Sequence, residues 1–269
     1  MIRRSILSVV LAAAFCTPLL AQMEMQGGTG FHTVACIKVK PEKGAEFRAW
    51  AASDVHKFAQ SRVDSGALSG WLFLKSVQPQ GESAQCDYLS ISMYPGAPTE
   101  PMGPEALGAA LKKAGINMTA QQFADRREAL TTLISNNLMQ NRAVVGSMKT
   151  GDYFLVNYMK TSNVEDWVAF EKKVWQPMAE ALVKDGMTAG WSLNVQVLPG
   201  GSDLKFQGVT VDIYPNWDAV FKADPQFVDR FRRVHPDMDF GTTFEQFEKV
   251  RTMVGIQLFS AVDIVTASK

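Results

Sequence analysis

Four polar side chains are predicted to lie on helix faces that are otherwise apolar, and their types could do chemistry. Asp54 and Arg62 fall within about 60° of Phe47, the centre of an apolar stripe, on a helix that turns 100° per residue. Arg127 and Asn137 fall on the apolar face of a later helix. A carboxylate in such a place can act as a base, and an arginine can stabilise developing negative charge.

These residues have two interpretations. Burying them without partners is costly, so they should either pair with each other or meet a ligand. In the first interpretation an Asp–Arg pair sits at the rim of the helix layer, with arginine stems covering apolar surface. In the second, Trp50, Arg62 and Asn137 line a small-molecule pocket, with Asp54 as the base and Arg127 stabilising an anion. The sequence leaves both open.

The chain repeats itself at an offset of 120 residues. Residues 66–79, GALSGWLFLKSVQP, return as residues 186–199, GMTAGWSLNVQVLP, and the glycines, tryptophan and final proline keep their spacing. This ungapped repetition predicts a tandem duplication, with units over residues 31–149 and 150–269. Each unit therefore serves as a control for the other. The counterparts of the four polar residues are mostly apolar: Val174 for Asp54, Leu182 for Arg62, Phe247 for Arg127 and Gln257 for Asn137.

Each unit has the periodicities of an α+β fold. A short β-rich run, an amphipathic helix, two strands, a final helix and a final strand follow in the order β-α-β-β-α-β, the ferredoxin-like plan. We expect the final helices over about residues 121–139 and 243–259, and the last strands near 142–147 and 261–266. On the first strand of the second unit, Asn157 and Tyr153 are polar residues on the face expected to meet the helices.

The opposite faces of the two sheets are predicted to pack together, and they also contain polar residues. Alternation along the strands favours a hydrogen-bonded network at this contact. Its predicted members are Ser90, Ser92 and Tyr94, then Thr210, Asp212 and Tyr214, and also Ser192, Asn194 and Gln196.

The beginning of the chain is typical of an exported protein. Arg3 and Arg4 precede a short apolar run, and Leu19-Leu20-Ala21 is suited to cleavage, so residues 1–21 are predicted to be a signal peptide. Residues 22–30 should be a flexible leader. The composition is globular, with 46% hydrophobic residues and equal numbers of acidic and basic residues, 27 each. No basic stretch suggests nucleic acid or a membrane surface as a partner. We expect a periplasmic or extracellular protein.

Two cysteines, Cys36 and Cys86, follow the predicted cleavage site. They could form one disulfide after export or remain two buried thiols, and the sequence does not decide between these states. No Cys/His group has zinc-site spacing, and no Ser-His-Asp order or glycine-rich phosphate loop is visible. We therefore expect neither a metal nor a cofactor.

The chain resembles the dimeric α/β-barrel superfamily, with the barrel made within one chain by duplication. Residues 39–47, VKPEKGAEF, are similar to the strand-to-helix entry of that superfamily, and a Tyr-Pro pair ends the third strand of each unit. Residues 214–227, YPNWDAVFKADPQF, look like the segment after the third strand in antibiotic-biosynthesis monooxygenase-like domains. The superfamily includes cofactor-free monooxygenases, haem enzymes and isomerases, so the resemblance implies a fold and does not choose an activity.

The resemblance makes His235 the one candidate for a haem ligand or general base, against a plain helix-terminal role. Taken together, the sequence predicts an exported barrel that binds a small, partly apolar molecule between the helices and sheet of the first unit. The alternative is a cofactor-independent, monooxygenase-like enzyme acting on an aromatic or quinol-type substrate, with a haem-dependent variant less favoured. The two units should form a pseudo-dimer within the chain, and further self-association stays open.

Overall fold

A computed structural model of the chain describes residues 22–24, 30–98 and 100–267. The signal peptide expected over residues 1–21 lies outside the described residues, as do residues 25–29 of the leader. Gln22–Glu24 forms a strand, although a flexible segment was expected there. This strand pairs with residues 147–149, and the Met23 side chain is buried in the protein interior. Backbone pairing and apolar burial together order this part of the leader.

The described chain contains nine strands and nine α-helices, and none of these helices is long and apolar enough to cross a membrane. The strands are β1 Gln22–Glu24, β2 Phe31–Val39, β3 Gly70–Gln78, β4 Tyr88–Met93, β5 Thr131–Lys149, β6 Tyr153–Lys160, β7 Gly190–Leu198, β8 Gly208–Tyr214 and β9 Thr252–Thr266. The helices are α1 Gly44–Trp50, α2 His56–Asp64, α3 Pro104–Lys113, α4 Ala120–Leu130, α5 Val164–Phe170, α6 Gln176–Lys184, α7 Trp217–Phe221, α8 Phe227–Val234 and α9 Phe240–Val250.

Eight of these strands, β2 to β9, close into an antiparallel barrel. Neighbouring strands follow the order β5-β2-β4-β3-β9-β6-β8-β7, and β7 pairs back with β5 to complete the ring. Because the ring is closed, these eight strands leave no open sheet edge. The fold is therefore α+β with an eight-stranded barrel at its centre.

The helices cover the outside of the barrel. Phe47 and Trp50 of α1 pack in one cluster with Trp71 and Phe73 of β3. Around the other half of the barrel, a second cluster joins α5 and α6 to β7, with Trp167 fully buried in it. The strand faces thus separate an inner layer of side chains from an outer, helix-covered layer.

The two halves of the barrel share local irregularities at the offset of 120 residues. A π-helical turn, Ala51–Val55, joins α1 to α2, and Glu171–Trp175 joins α5 to α6. Gly66 and Gly186 follow the helices α2 and α6 with φ values of 74° and 69°. Glycine adopts this left-handed conformation without a steric penalty, so it suits the exit from each helix.

The final helix of each half is shorter than expected, and the strand after it is longer. The helix predicted over residues 121–139 ends at Leu130, and the helix predicted over residues 243–259 ends at Val250. The residues that follow form β5 and β9, of 19 and 15 residues, which begin well before the strands predicted near 142 and 261. Leu133 and Ile134 fit a helical stripe, but they are exposed on β5. Strand pairing with β2 and the β-favouring residues at this point outweigh the helical spacing.

The disulfide that the sequence left undecided is present in the structure. Cys36 of β2 and Cys86, just before β4, are bonded across 50 residues of chain, and both are buried. Their counterparts in the second half are Val156 and Phe206, so the barrel does not require a bridge at this position. Its contribution should be mainly that of a cross-link on the unfolded chain.

We predict that breaking this disulfide destabilises the protein by about 4 kcal/mol, the loop-entropy value for a loop of this length. The measurement is urea unfolding followed by tryptophan fluorescence, with and without reductant. A double variant, Cys36→Ala with Cys86→Ala, is the control, since it should not respond to reductant. Equal unfolding midpoints for oxidised and reduced wild-type protein would contradict this prediction.

Candidate functional site

A cavity of about 1680 Å³ occupies the interior of the barrel. All eight barrel strands contribute lining side chains, because every second residue of a strand faces inward. Most of the lining is apolar, as at Leu72, Ile91, Phe154 and Val211. An eight-stranded barrel can hold one small ligand where side chains do not fill its interior.

The polar side chains of the cavity are concentrated on β5 and β7, the two strands that close the ring. Asn137 and Asn141 of β5 line the cavity beside Ser192 and Asn194 of β7. The strand register places Asn141 opposite Asn194, whose Nδ2 donates to the Ser192 Oγ at 3.0 Å. The cavity therefore has one polar wall, and its remaining lining is largely apolar.

His32 adds a further polar group, on the inward face of β2 next to this wall. It is 7% exposed, and its Nδ1 has no hydrogen-bond partner among the described residues. Burial lowers the pKa of the imidazole to about 4. The ring is therefore neutral at physiological pH, with one nitrogen as a donor and the other as an acceptor.

The lining of the cavity carries no formal charge at neutral pH. Among the described residues that form it there is no Asp, Glu, Lys or Arg. Burial raises the pKa of the Tyr158 hydroxyl to about 12, so that group also stays neutral. The Cys36–Cys86 disulfide also lines this cavity.

The pocket predicted between the helices and sheet of the first unit corresponds in the structure to a depression between helices. This depression, of about 550 Å³, is lined by Trp50 and Asp54 and by residues of α4 and the loop before it. The Trp50 Nε1 is buried without a partner among the described residues. An ion pair between Glu46 and Arg126, at 2.7 Å, lies within the same lining. Two of the five predicted residues therefore meet here.

The other three predicted residues lie elsewhere. The Arg62 guanidinium lies over the Phe58 ring, 5.9 Å from its centroid. Arg127 is exposed and pairs with Glu128 at 3.6 Å, because it lies on the solvent side of the last turn of α4, whereas Leu130 of the same turn is buried. Asn137 lies on a strand and not on a helix, and it faces the barrel interior. Its inclusion in a helix-facing pocket was wrong because the helix ends seven residues earlier.

The two remaining candidates are buried in the second half. The Asn157 Nδ2 donates to Thr210 Oγ1 at 3.3 Å and to Asp212 Oδ2 at 2.9 Å. His235 follows the end of α8, and its Nε2 lies 2.8 Å from the carbonyl oxygen of Val174. This nitrogen is already engaged with the backbone, so the residue is held as a helix-terminal group.

Three of the nine residues predicted for a polar network at the barrel centre line the cavity. Ser192, Asn194 and Tyr94 line the cavity, as expected. Ser90 instead accepts a hydrogen bond from Trp71 Nε1 on the helix side, at 2.9 Å. Ser92 of β4 and Thr210 of β8 were predicted to face the barrel centre, and this prediction was wrong by one position along each strand. Ser92 pairs with Thr33, and Thr210 pairs with Asn157. Paired residues share a face, and these face the helices.

A polar cluster in the outer layer of the second half was missed. Glu171 is 1% exposed, and its Oε1 accepts hydrogen bonds from Trp167 Nε1 at 3.0 Å and Arg251 Nε at 2.9 Å. Burial raises the pKa of the Glu171 carboxyl despite these partners. Burial also raises the pKa of the nearby Asp212 carboxyl to about 6, against the hydrogen bond from Asn157.

The repeat contained the signal for this cluster. Glu171, Asp212 and Arg251 stand where the first unit has Ala51, Ser92 and Thr131. These three positions are charged only in the second unit. Among the described residues, no group of three or more His, Cys, Asp or Glu side chains is arranged to hold a metal ion.

The barrel architecture is shared with solved structures of very different sequence. A candidate monooxygenase from Lactobacillus acidophilus NCFM aligns over 89% of this chain and 97% of its own, with a TM-score of 0.50 and 11% identity. A candidate monooxygenase from Fusobacterium nucleatum subsp. nucleatum aligns over 89% and 95%, with a TM-score of 0.50 and 10% identity. No protein-family model matches the chain, and no curated protein matches it. The likeness is one of fold alone.

We predict that Asp212→Asn removes part of the pH dependence of stability. A carboxyl whose pKa is raised in the folded state binds its proton more tightly there, so the free energy of unfolding falls as the pH rises from about 4 to about 6. For one proton the slope is at most about 1.4 kcal/mol per pH unit. The variant keeps an acceptor for Asn157 and should lack this fall. Urea unfolding between pH 4 and 7 measures it.

The control for this experiment is Asp218→Asn, because Asp218 is exposed on α7. It should follow the wild-type profile. If Asp212→Asn shows the same profile as wild type and control, the Asp212 carboxyl does not titrate in the folded protein as described.

Proposed function

We propose that this chain is an exported protein that binds a small, largely apolar molecule inside its barrel. This proposal rests on the cavity of about 1680 Å³, because a bound ligand would remove the apolar lining of the cavity from water. Burying apolar surface contributes roughly 25 cal/mol per Å². The polar wall on β5 and β7 would orient the bound molecule. The ligand site is thus placed in the barrel interior and not in the helix layer of the first unit.

Export is part of the proposal, and it rests on two features. The first is the signal-peptide pattern of residues 1–21. The second is the Cys36–Cys86 disulfide, which is typical of oxidising compartments such as the periplasm or the extracellular space. Removal of residues 1–21 would leave the strand β1 at the new amino terminus.

We also propose that the barrel arose by tandem duplication of one ferredoxin-like unit, over residues 31–149 and 150–269. In support, the strands β5-β2-β4-β3 and β9-β6-β8-β7 follow the same order within each half. The π-helical turns and the helix-ending glycines recur at the same offset. The proposal includes the relationship implied by the sequence resemblance, in which the two units are most similar to antibiotic-biosynthesis monooxygenase-like domains.

The second candidate function is a cofactor-independent, monooxygenase-like enzyme for an aromatic or quinol-type substrate. The fold shared with two candidate monooxygenases supports it at the level of architecture. Asp212 gives it a specific residue, because a carboxyl with a pKa of about 6 can accept a proton near neutral pH. The neighbouring Trp191 Nε1 has no partner among the described residues. Asp54 lines the depression beside α4 and stays a proposed alternative base, whereas Arg127, predicted as its partner, lies outside that lining.

His235, the ligand predicted for a haem-dependent variant of this enzyme, does not fit that role. His235 is the candidate ligand, and its Nε2 is bonded to the carbonyl of Val174 while its ring packs against Phe231. Binding an iron through that nitrogen would break the bond that holds the end of α8. We derive no step through haem.

Oxygen consumption tests the enzyme candidate. The expected result for an oxygenase is uptake with an added aromatic quinol above the rate of autoxidation, reduced at least tenfold by Asp212→Asn or by Asp54→Asn, whichever residue is the base. Asp218→Asn is the matched control and should leave the rate unchanged. A wild-type rate equal to autoxidation would remove this candidate.

We predict that filling the cavity abolishes ligand binding. The probe is N-phenyl-1-naphthylamine, which is uncharged at neutral pH and becomes more fluorescent in apolar surroundings. Val34→Trp combined with Val211→Trp places two indoles inside the barrel, and probe affinity should fall at least tenfold, a change of about 1.4 kcal/mol.

The matched control is Val254→Trp combined with Val262→Trp, because these valines are 48% and 41% exposed on β9. It adds the same two side chains outside the barrel and should bind like wild type. Circular dichroism verifies that both variants fold. Equal affinity in the filled and control variants would show that the probe binds elsewhere.

A further inference from the structure

The nature of the cavity lining restricts what can bind there, provided that the barrel interior is the ligand site proposed above. The described lining holds no Asp, Glu, Lys or Arg. An ionised ligand would lose its hydration on entry without gaining an opposite charge, and this cost is large. The lining therefore selects for uncharged molecules.

His32 marks the place where a polar group of the ligand would sit. Its Nδ1 is buried and has no partner among the described residues, although a buried, unpaired polar atom costs free energy. On β5 its register partner is Met139, and Asn137 and Asn141 are the next inward residues on either side of Met139. Diagonal cross-strand neighbours of this kind lie about 7–8 Å apart, so one small group of a ligand can reach His32 and one of these asparagines together.

The two amides differ in how far they are already engaged. The Asn137 Nδ2 donates to the Gln196 Oε1 at 3.3 Å. The Asn141 side chain makes no hydrogen bond to another side chain or backbone group in the described part of the chain, while its backbone N–H donates to the Gly30 carbonyl at 2.9 Å. His32 and Asn141 therefore both have unused hydrogen-bonding capacity beside the cavity.

The second half of the barrel shows that the fold does not need these groups. The counterpart of Asn141 is Ala261, which packs in the apolar interior. The counterpart of His32 is Asp152, which lies before β6, does not line the cavity, and accepts a hydrogen bond from the backbone N–H of Lys149. The polar pair is thus a feature of one side of the cavity.

We infer that the ligand is an uncharged, mainly apolar molecule whose hydroxyl or carbonyl group bonds to His32 and Asn141. A neutral imidazole and an amide each offer a donor and an acceptor, so they can serve either group. The low pKa of His32, about 4, keeps the imidazole in this neutral form. The apolar part of the ligand lies against Leu72, Ile91 and Val211.

Four compounds with one skeleton test this inference: naphthalene, 2-naphthol, 2-naphthoate and 2-naphthylmethylammonium. Each compound is titrated at pH 7 into wild-type protein loaded with N-phenyl-1-naphthylamine. The affinity of the compound is obtained from the loss of fluorescence as the probe is displaced. We expect 2-naphthol to bind about fivefold to tenfold more tightly than naphthalene, the effect of one hydrogen bond. The two ions should bind at least tenfold more weakly than 2-naphthol.

Variants at position 32 connect this preference to the imidazole. His32→Phe should bind naphthalene as wild type does and lose the preference for 2-naphthol. His32→Gln, which keeps a donor and an acceptor, should retain it. The matched control His56→Phe, on the outer helix α2, should behave like wild type.

The outcomes separate the two proposals. Binding of 2-naphthoate as tight as that of 2-naphthol would overturn the inference about charge. An unchanged 2-naphthol preference in His32→Phe would overturn the role of His32. If neither naphthalene nor the fluorescent probe binds, the proposed binding function itself fails, and this inference fails with it.

Discussion

The pairing of β5 with β7 is the contact on which the rest of the structure depends. β5 pairs with β2 through residues 131–140 and with β7 through residues 138–146. β9 joins the halves in the same way, pairing with β6 through residues 252–260 and with β3 through residues 258–266. Without the β5–β7 contact the eight strands would form an open sheet with two exposed edges. With it they enclose an interior and bring the polar wall of the cavity together.

Closure also separates the charged groups from the cavity. Glu171, Arg251 and Asp212 lie outside the barrel under the helices of the second half, where Glu171 pairs with Arg251 and Asp212 accepts a hydrogen bond from Asn157. The described side chains that line the cavity are uncharged at neutral pH. The structure thus holds two different environments on the two faces of the same strands, and each suits one of the proposed functions: an uncharged binding cavity inside, and a proton-accepting carboxyl outside.

Strand alternation and the repeat predicted the local structure well, because both depend on periods that are visible in the residues. The outward face of β6, which carries Asn157, was assigned correctly from alternation alone. The ends of α4 and α9 were not, since Leu133 and Ile134 satisfy a helical spacing while they lie exposed on a strand. Which period applies was decided by pairing with β2 and β6, and those partners lie about a hundred residues away in the chain.

The site was harder to predict than the fold. Whether a barrel interior is filled depends on how side chains of eight strands meet in space, and no local pattern contains that information. His32 was not among the predicted site residues, and only the closed ring shows that it lines a cavity. The disulfide was undecided for a similar reason, since counting cysteines cannot tell whether two of them lie within bonding distance.

Methyl NMR gives the most direct test of the claim that the ligand lies inside the barrel. The sample is the chain from residue 22 with labelled leucine, isoleucine and valine methyl groups, titrated with 2-naphthol. A ligand inside the barrel should shift the inward methyl groups of Leu72, Ile91 and Val211, and should leave Val63 and Val168 in the helix layer unshifted. Shifts confined to the helix layer, or at none of these methyl groups, would contradict it.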